Sequence, residues 1–229
     1  MPRTEITGVP GVLETLLTQE VLDQLPLEAP GAPWECRGQA ILWTARGGKA
    51  AAQALPPGLR QRTALAAVGG MVRYLDTPAG TYDEVLGAVA FREGRSIQGS
   101  VTFMAVDSAV SLVGGRVNWA MPKTLAEFDG SIASGTPMSA TSATDTPWRV
   151  KATPRVFGPS IPVAAAFTVQ QQFPGGDVRP ARLHARGRGR AAVVAVEVSA
   201  ETGLSTWLRP GRRLGAVIDQ MTFTLGSPD

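Results

Sequence analysis

Asp107-Ser-Ala-Val-Ser-Leu-Val-Gly-Gly-Arg116-Val-Asn-Trp119-Ala-Met121-Pro122-Lys123-Thr124-Leu-Ala-Glu-Phe128 is the stretch on which the reading of this 229-residue chain turns. Its one lysine, Lys123, stands among Val117, Trp119, Met121, Pro122, Leu125 and Phe128. Pro122 fixes its own φ and restricts Met121, so a defined bend leads into the lysine. Burial disfavours the charged form of an amine, and a neutral amine is a nucleophile for carbonyl carbon. The same residues also admit a plainer reading, a lysine at a strand edge with its head in water. Upstream, residues 108–112 have the pattern of a short helix that Gly114-Gly115 is expected to end.

Composition makes the lysine stand out further. Of 22 cationic residues 19 are arginine, and the only lysines are Lys49, Lys123 and Lys151. Arginine is the default cation here, and arginine keeps its proton where lysine can lose one. A single cysteine (Cys36) excludes a disulfide framework. One cysteine with one histidine (His184) cannot supply a zinc site of the usual kind. No metal is therefore expected. Ser-His or Cys-His catalysis would have to run through His184, which alternates with apolar neighbours as a structural or surface residue does. An apolar content of 44 % is that of a globular chain. No uninterrupted apolar run approaches the roughly 18 residues of a membrane span, and the N-terminus has no signal-peptide pattern, so a cytoplasmic protein is expected.

Around the central stretch, short β-like runs are separated by Gly, Pro and Asp. They cover residues 35–45, 64–75, 84–92, 96–106, 131–134, 139–144, 148–156, 163–173, 181–186, 191–199 and 220–225. A short helix over 48–55 ends at Pro56-Pro57. This pattern predicts a mostly β (α+β) domain built on a curled antiparallel sheet. Residues 12–25 read as one amphipathic helix bracketed by Pro10 and Pro26, with Glu14, Glu20 and Asp23 on its polar face. That face has the wrong sign for anionic lipid, so a packing or oligomer-contact role is expected. The N-terminal helix and connector then occupy 1–33, and the main domain 34–229.

Several motifs, taken in order, carry a resemblance. The segment from Gly115-Arg116 to Pro122-Lys123-Thr124-Leu125 resembles the acetoacetate decarboxylase signature, Gly-Arg-Glu followed after a few residues by Pro-Lys-Lys-Leu. Residues 37–46 resemble the family's first long strand, with its active-site arginine at the start. Leu55-Pro56-Pro57-Gly58-Leu59 resembles the Pro-x-x-Leu that closes the following helix. Tyr82-Asp83-Glu84 resembles the Tyr-x-Glu that carries a carboxylate. Residues 163–190 and 216–225 resemble later strands, so the likeness spans 34–225. It implies a cone-like β-barrel, homo-oligomers, and Schiff-base chemistry on a small oxo acid. By position it makes Lys123 the Schiff-base lysine, Glu84 the active-site glutamate and Arg37 the active-site arginine. Tyr82, Arg116, Trp119 and Met121 are the substrate-binding candidates from the same motifs.

Three positions depart from that pattern. Thr124 replaces the second lysine, Val117 replaces the glutamate of Gly-Arg-Glu, and Gly69 stands where a second carboxylate is expected. Lysine chemistry survives these changes, whereas substrate identity does not follow from them. The resemblance implies a cofactor-independent lyase whose leading reaction is decarboxylation of a β-keto acid. An aldolase or dehydratase acting on a pyruvate-like substrate, and a silent carboxylate-binding protein, remain as alternatives. The basic run Arg186-Gly-Arg-Gly-Arg190 has no interleaved aromatics, so it reads as a solvated hairpin or subunit-contact loop and not as a nucleic-acid site.

Overall fold

The computed structural model describes residues 3–229, with side chains from residue 5 onward. Nine strands form one sheet: β1 (Trp34–Arg46), β2 (Ala64–Asp76), β3 (Tyr82–Glu93), β4 (Ser96–Val106), β5 (Lys123–Gly130), β6 (Met138–Ser142), β7 (Trp148–Gln172), β8 (Val178–Ala200) and β9 (Gly211–Leu225). Neighbours pair in chain order, and β9 returns to pair with β1, so the sheet curls until its hydrogen-bonded circuit closes. Every step is antiparallel except β4 to β5, which are parallel. A parallel step requires a crossover. Helix α4 (Ala109–Trp119) supplies it; before it come α1 (Arg3–Thr7), α2 (Gln19–Gln24) and α3 (Lys49–Ala54), and after it α5 (Leu204–Trp207).

Because side chains alternate along a strand, one sheet serves two apolar clusters. Ile41, Trp43, Met71, Val85, Phe91, Phe103, Trp148 and Trp207 belong to the first. Trp34, Cys36, Val72, Tyr74, Tyr82, Met104, Val106, Leu112 and Trp119 belong to the second, on which α4 lies. Among the described residues no helix is long and apolar enough to cross a membrane.

Several expected boundaries are corrected. Residues 12–25 are not one helix: a 3₁₀ turn (Leu13–Thr15) precedes α2, which Thr18 caps through Val21 N. Glu14 turns inward, accepting from the backbone N–H of Leu204 at 3.0 Å and from the Thr202 hydroxyl. Leu13 and Leu16 are exposed instead. Satisfying a buried carboxylate has overridden the amphipathic spacing. Helix α4 passes through Gly114-Gly115 and stops at Ala120, which takes the left-handed conformation at φ 50°. Residues 131–134 are not a strand, and the strand that leads to them, β5, begins at Lys123 itself. The runs 148–156 and 163–173 are one strand, with a register shift between Phe157 and Ile161. Arg186–Arg190 is not a hairpin loop but the middle of β8, where ladders to β7 and β9 hold both its edges.

Gly69, where a second carboxylate was expected, faces the first cluster. A Cβ there would collide with the indole of Trp43. Gly69→Ala is expected to cost about 1–3 kcal/mol through overpacking. Thermal denaturation should show a midpoint lowered by several degrees, while a wild-type midpoint would contradict this packing.

Candidate active site

Lys123 and Glu84 meet because β4 is shared. Glu84 on β3 pairs with Val106 on β4, and Lys123 on β5 pairs with Met104 on the other side of β4. Both side chains emerge on the face of the second cluster. Lys123 Nζ lies 2.9 Å from Glu84 Oε2, and the two residues are 3 % and 1 % exposed. Nζ also donates to Ser111 Oγ at 2.8 Å. The Tyr74 phenol donates to the other carboxylate oxygen, Oε1, at 3.0 Å. The Tyr82 ring centroid lies 5.3 Å from Nζ, within cation–π range.

Burial, followed by the Glu84 charge, pushes the titration of both phenols well above the ordinary tyrosine range. The same two causes push the Cys36 thiol up to about 12. All three groups keep their protons at neutral pH and so add no further charge beside the pair, and the Tyr74 phenol donates to it.

Glycine makes room for this arrangement. A Cβ on Gly115 would sit 2.6 Å from both Cδ and Cε of Lys123, so the lysine stem crosses α4 where the helix has no side chain. Gly114 does the same for the Trp34 ring. The bend before the lysine is held from two further sides. Gln171 Nε2 donates to the Ala120 carbonyl at 3.1 Å. The Arg116 guanidinium donates to the carbonyls of Lys123 (2.6 Å), Ile6 (2.7 Å) and Thr15 (2.5 Å). Desolvation lowers the Arg116 pKa to about 9, so the buried group still carries its charge at pH 7.

The sequence candidates therefore separate. Lys123, Glu84 and Tyr82 converge around the amine. Arg116 reaches only the backbone of the lysine and ties the N-terminal segment to it. Trp119 donates to the Gly226 carbonyl at 2.7 Å and packs edge-on against Trp34. Met121 is buried in the second cluster. Arg37 is not part of the constellation: it is exposed beside an outer groove that also carries Arg186 and Arg188. Its side chain is directed away because alternation along β1 assigns the inner face to its neighbour Cys36.

Ser111, Tyr74 and Cys36 were missed. The i, i+4 spacing of Ser111 and Gly115 puts them on one helix face, which is a readable signal. Tyr74 is reached by counting back across the β2–β3 turn to its partner Tyr82, but its diagonal reach to Glu84 is not written in the sequence.

The acetoacetate decarboxylase (ADC) family model matches residues 25–146, more than half of the chain. The chain belongs to the acetoacetate decarboxylase family. No curated protein matches its sequence. Solved structures share the fold. Acetoacetate decarboxylase from Legionella pneumophila superposes with TM-score 0.62 at 15 % identity, covering 93 % of this chain and 95 % of that one. An acetoacetate decarboxylase-like enzyme from Sphingomonas wittichii RW1 gives 0.62 at 15 %, covering 87 % and 93 %. The enduracididine biosynthesis enzyme MppR complexed with pyruvate gives 0.60 at 16 %, covering 87 % and 90 %. Family membership supports an enzyme of this superfamily, and the three relatives carry its fold through nearly their whole length.

Two outcomes follow from the packing. Removing Arg116 as Arg116→Met leaves three carbonyls without their donor, at about 1–3 kcal/mol for each one left buried. Hydrogen exchange should then rise in the N-terminal segment around Ile6 and Thr15, and unchanged protection there would disprove the tie. Cys36 should resist iodoacetamide at pH 8 in the native protein and react fully once denatured. Rapid native labelling would contradict its burial and raised pKa.

Proposed function

We propose that this protein is a cofactor-independent lyase that forms a Schiff base through Lys123 and decarboxylates a small β-keto acid. The observation that carries the reading is the buried amine with a carboxylate at 2.9 Å and a hydroxyl at 2.8 Å. A protonated amine is no nucleophile. The contact to Glu84 Oε2 is the path by which the proton leaves Nζ, converting an ion pair into a neutral amine and a neutral acid. The freed amine adds to the ketone, Glu84 gives that proton to the departing hydroxyl so that water leaves, and a protonated iminium remains beside the Glu84 carboxylate. That iminium accepts the electron pair of the breaking C–C bond, carbon dioxide departs, and a neutral enamine forms. A proton taken up from solvent and relayed by Glu84 goes to the enamine carbon, and hydrolysis of the resulting iminium frees the ketone and restores the ammonium–carboxylate pair.

The surroundings favour loss of carbon dioxide over retention of the carboxylate. The step turns an iminium–carboxylate pair into a neutral enamine and a neutral gas, and an apolar site disfavours the charged side. Chemistry that keeps a carboxylate through the reaction needs a cation to hold it. Arg37 is on the outer surface and Arg116 is occupied by three carbonyls, so neither is placed to do so at the amine.

Incubation with acetoacetate and borohydride, followed by peptide mass spectrometry, should place a reduced adduct on Lys123, with carbon dioxide released in the untrapped reaction. Lys123→Ala should abolish both. Glu84→Gln should slow turnover by about 10²–10⁴-fold, the usual contribution of general acid–base catalysis. Absence of any adduct with acetoacetate, pyruvate and related oxo acids would sink the Schiff-base reading. An adduct without carbon dioxide, but with a new C–C bond from pyruvate, would replace decarboxylation by condensation.

A further inference from the structure

We propose that Ser111 is a catalytic residue whose hydroxyl shuttles a proton from the Lys123 nitrogen to the carbonyl oxygen while the carbinolamine forms. The proposal rests on the Schiff-base reading above. Addition of a neutral amine to a ketone first gives a nitrogen bearing positive charge and an oxygen bearing negative charge. In a site closed to water that separation is costly until a proton crosses from one atom to the other.

Two side chains hydrogen-bond to Nζ, Glu84 and Ser111. Glu84 has already taken the first proton, and its far oxygen is occupied by the Tyr74 phenol at 3.0 Å. It therefore offers only Oε2 to the reacting atoms. A hydroxyl both accepts and donates at a single atom. Ser111 Oγ, at 2.8 Å from Nζ, can accept the N–H proton while passing its own to the oxygen bound to the neighbouring carbon. The N–H bond breaks and an O–H bond forms on the serine. The original serine O–H breaks as an O–H bond forms on the substrate. Both C–N and C–O bonds are kept, and the serine emerges unchanged. The reverse transfer operates when the iminium is hydrolysed.

The serine is placed for this task. It is fully buried on α4, and its backbone N–H donates to the hydroxyl of Ser108, which caps the helix. The Tyr82 ring closes the amine on another side, its centroid 5.3 Å from Nζ. From the elements packed around the amine, the titratable groups are Cys36 on β1, Tyr74 on β2, and Tyr82 and Glu84 on β3. Cys36 and both tyrosines hold their protons too firmly to serve as the base.

The test follows imine formation by borohydride trapping under single-turnover conditions in mixtures of light and heavy water, using acetoacetate as probe. Wild-type protein should show a rate that curves with deuterium fraction, because two protons move together. Ser111→Ala should form the same Lys123 adduct about 10²–10³-fold more slowly, within the range for a positioned proton-transfer group. The curvature should be lost, and substrate affinity should change by less than about threefold, as befits a group that acts on the transfer and not on ground-state binding. Ser111→Cys, nearly equal in size, carries the same test should the alanine variant fail to fold, and Ser111→Thr should restore the curve. An alanine variant that reacts at the wild-type rate overturns the role of Ser111 while leaving the Schiff base intact. So does a slow variant that keeps the curvature, since packing alone would then account for the loss. A wild-type protein that forms no adduct overturns this proposal together with the reading beneath it.

Discussion

The ion pair between Lys123 and Glu84 is the constraint around which the second core is arranged. An ammonium group taken out of water loses several kcal/mol of hydration unless it is paired and fully hydrogen-bonded. Each polar neighbour of the pair answers that demand. Ser111 takes a further proton of the amine, and Tyr74 covers the carboxylate oxygen that the amine leaves free. The Tyr82 ring lies alongside the cation. Taking away one partner would strand a charge, whereas moving a proton between the two neutralises both. Structural tolerance and nucleophilic readiness thus come from one contact.

Bringing a residue of β3 against a residue of β5 explains the topology. A purely up-and-down sheet would place a hairpin after β4, and the next strand would run antiparallel. The crossover through α4 instead makes β5 parallel to β4, so that Lys123 starts its strand beside Met104. It also lays a helix over the amine. That helix cannot carry a side chain at residue 115, because the lysine stem already occupies the space. Arg116, the next residue, points away from the amine and gathers the Lys123, Ile6 and Thr15 carbonyls. The N-terminal segment is thereby tied to the backbone of the reactive residue, although the family model begins only at residue 25.

The sequence made the strands and the lysine legible for different reasons. β1 to β4 were read almost to the residue, because alternation and Gly-rich or Pro-rich turns are local signals. β7 and β8 were each broken in two: Pro159 lies in the register shift that β7 passes through without ending, and the Arg-Gly alternation looks like a turn until the ladders to β7 and β9 override it. Glu14 shows the opposite failure. A carboxylate between leucines at helical spacing reads as a polar face, and only the distant backbone of Leu204 reveals that it is buried. In the site, Lys123 and Glu84 were found through motif resemblance, whereas Arg37 was placed there by the same resemblance and lies outside. Ser111 and Tyr74 carry no motif. Their roles arise from three-dimensional contacts, on a helix face and on a diagonal across two strands.

The position after the lysine shows how alternation limits what a neighbour can do. Thr124 stands where the family pattern has a second lysine, and proximity in sequence suggests an influence on the first. Along β5, however, Lys123 and Leu125 face the second cluster, whereas Ala126 belongs to the first. Thr124 pairs with Ala105, also of the first cluster, and is fully buried with its hydroxyl unpartnered. A lysine at 124 would send its stem into that apolar core and away from the amine of 123. The threonine therefore removes no cation from beside the nucleophile in this chain. The electrostatic setting of Lys123 comes from residues distant in sequence, Glu84 first among them, and strand geometry keeps it separate from the identity of residue 124.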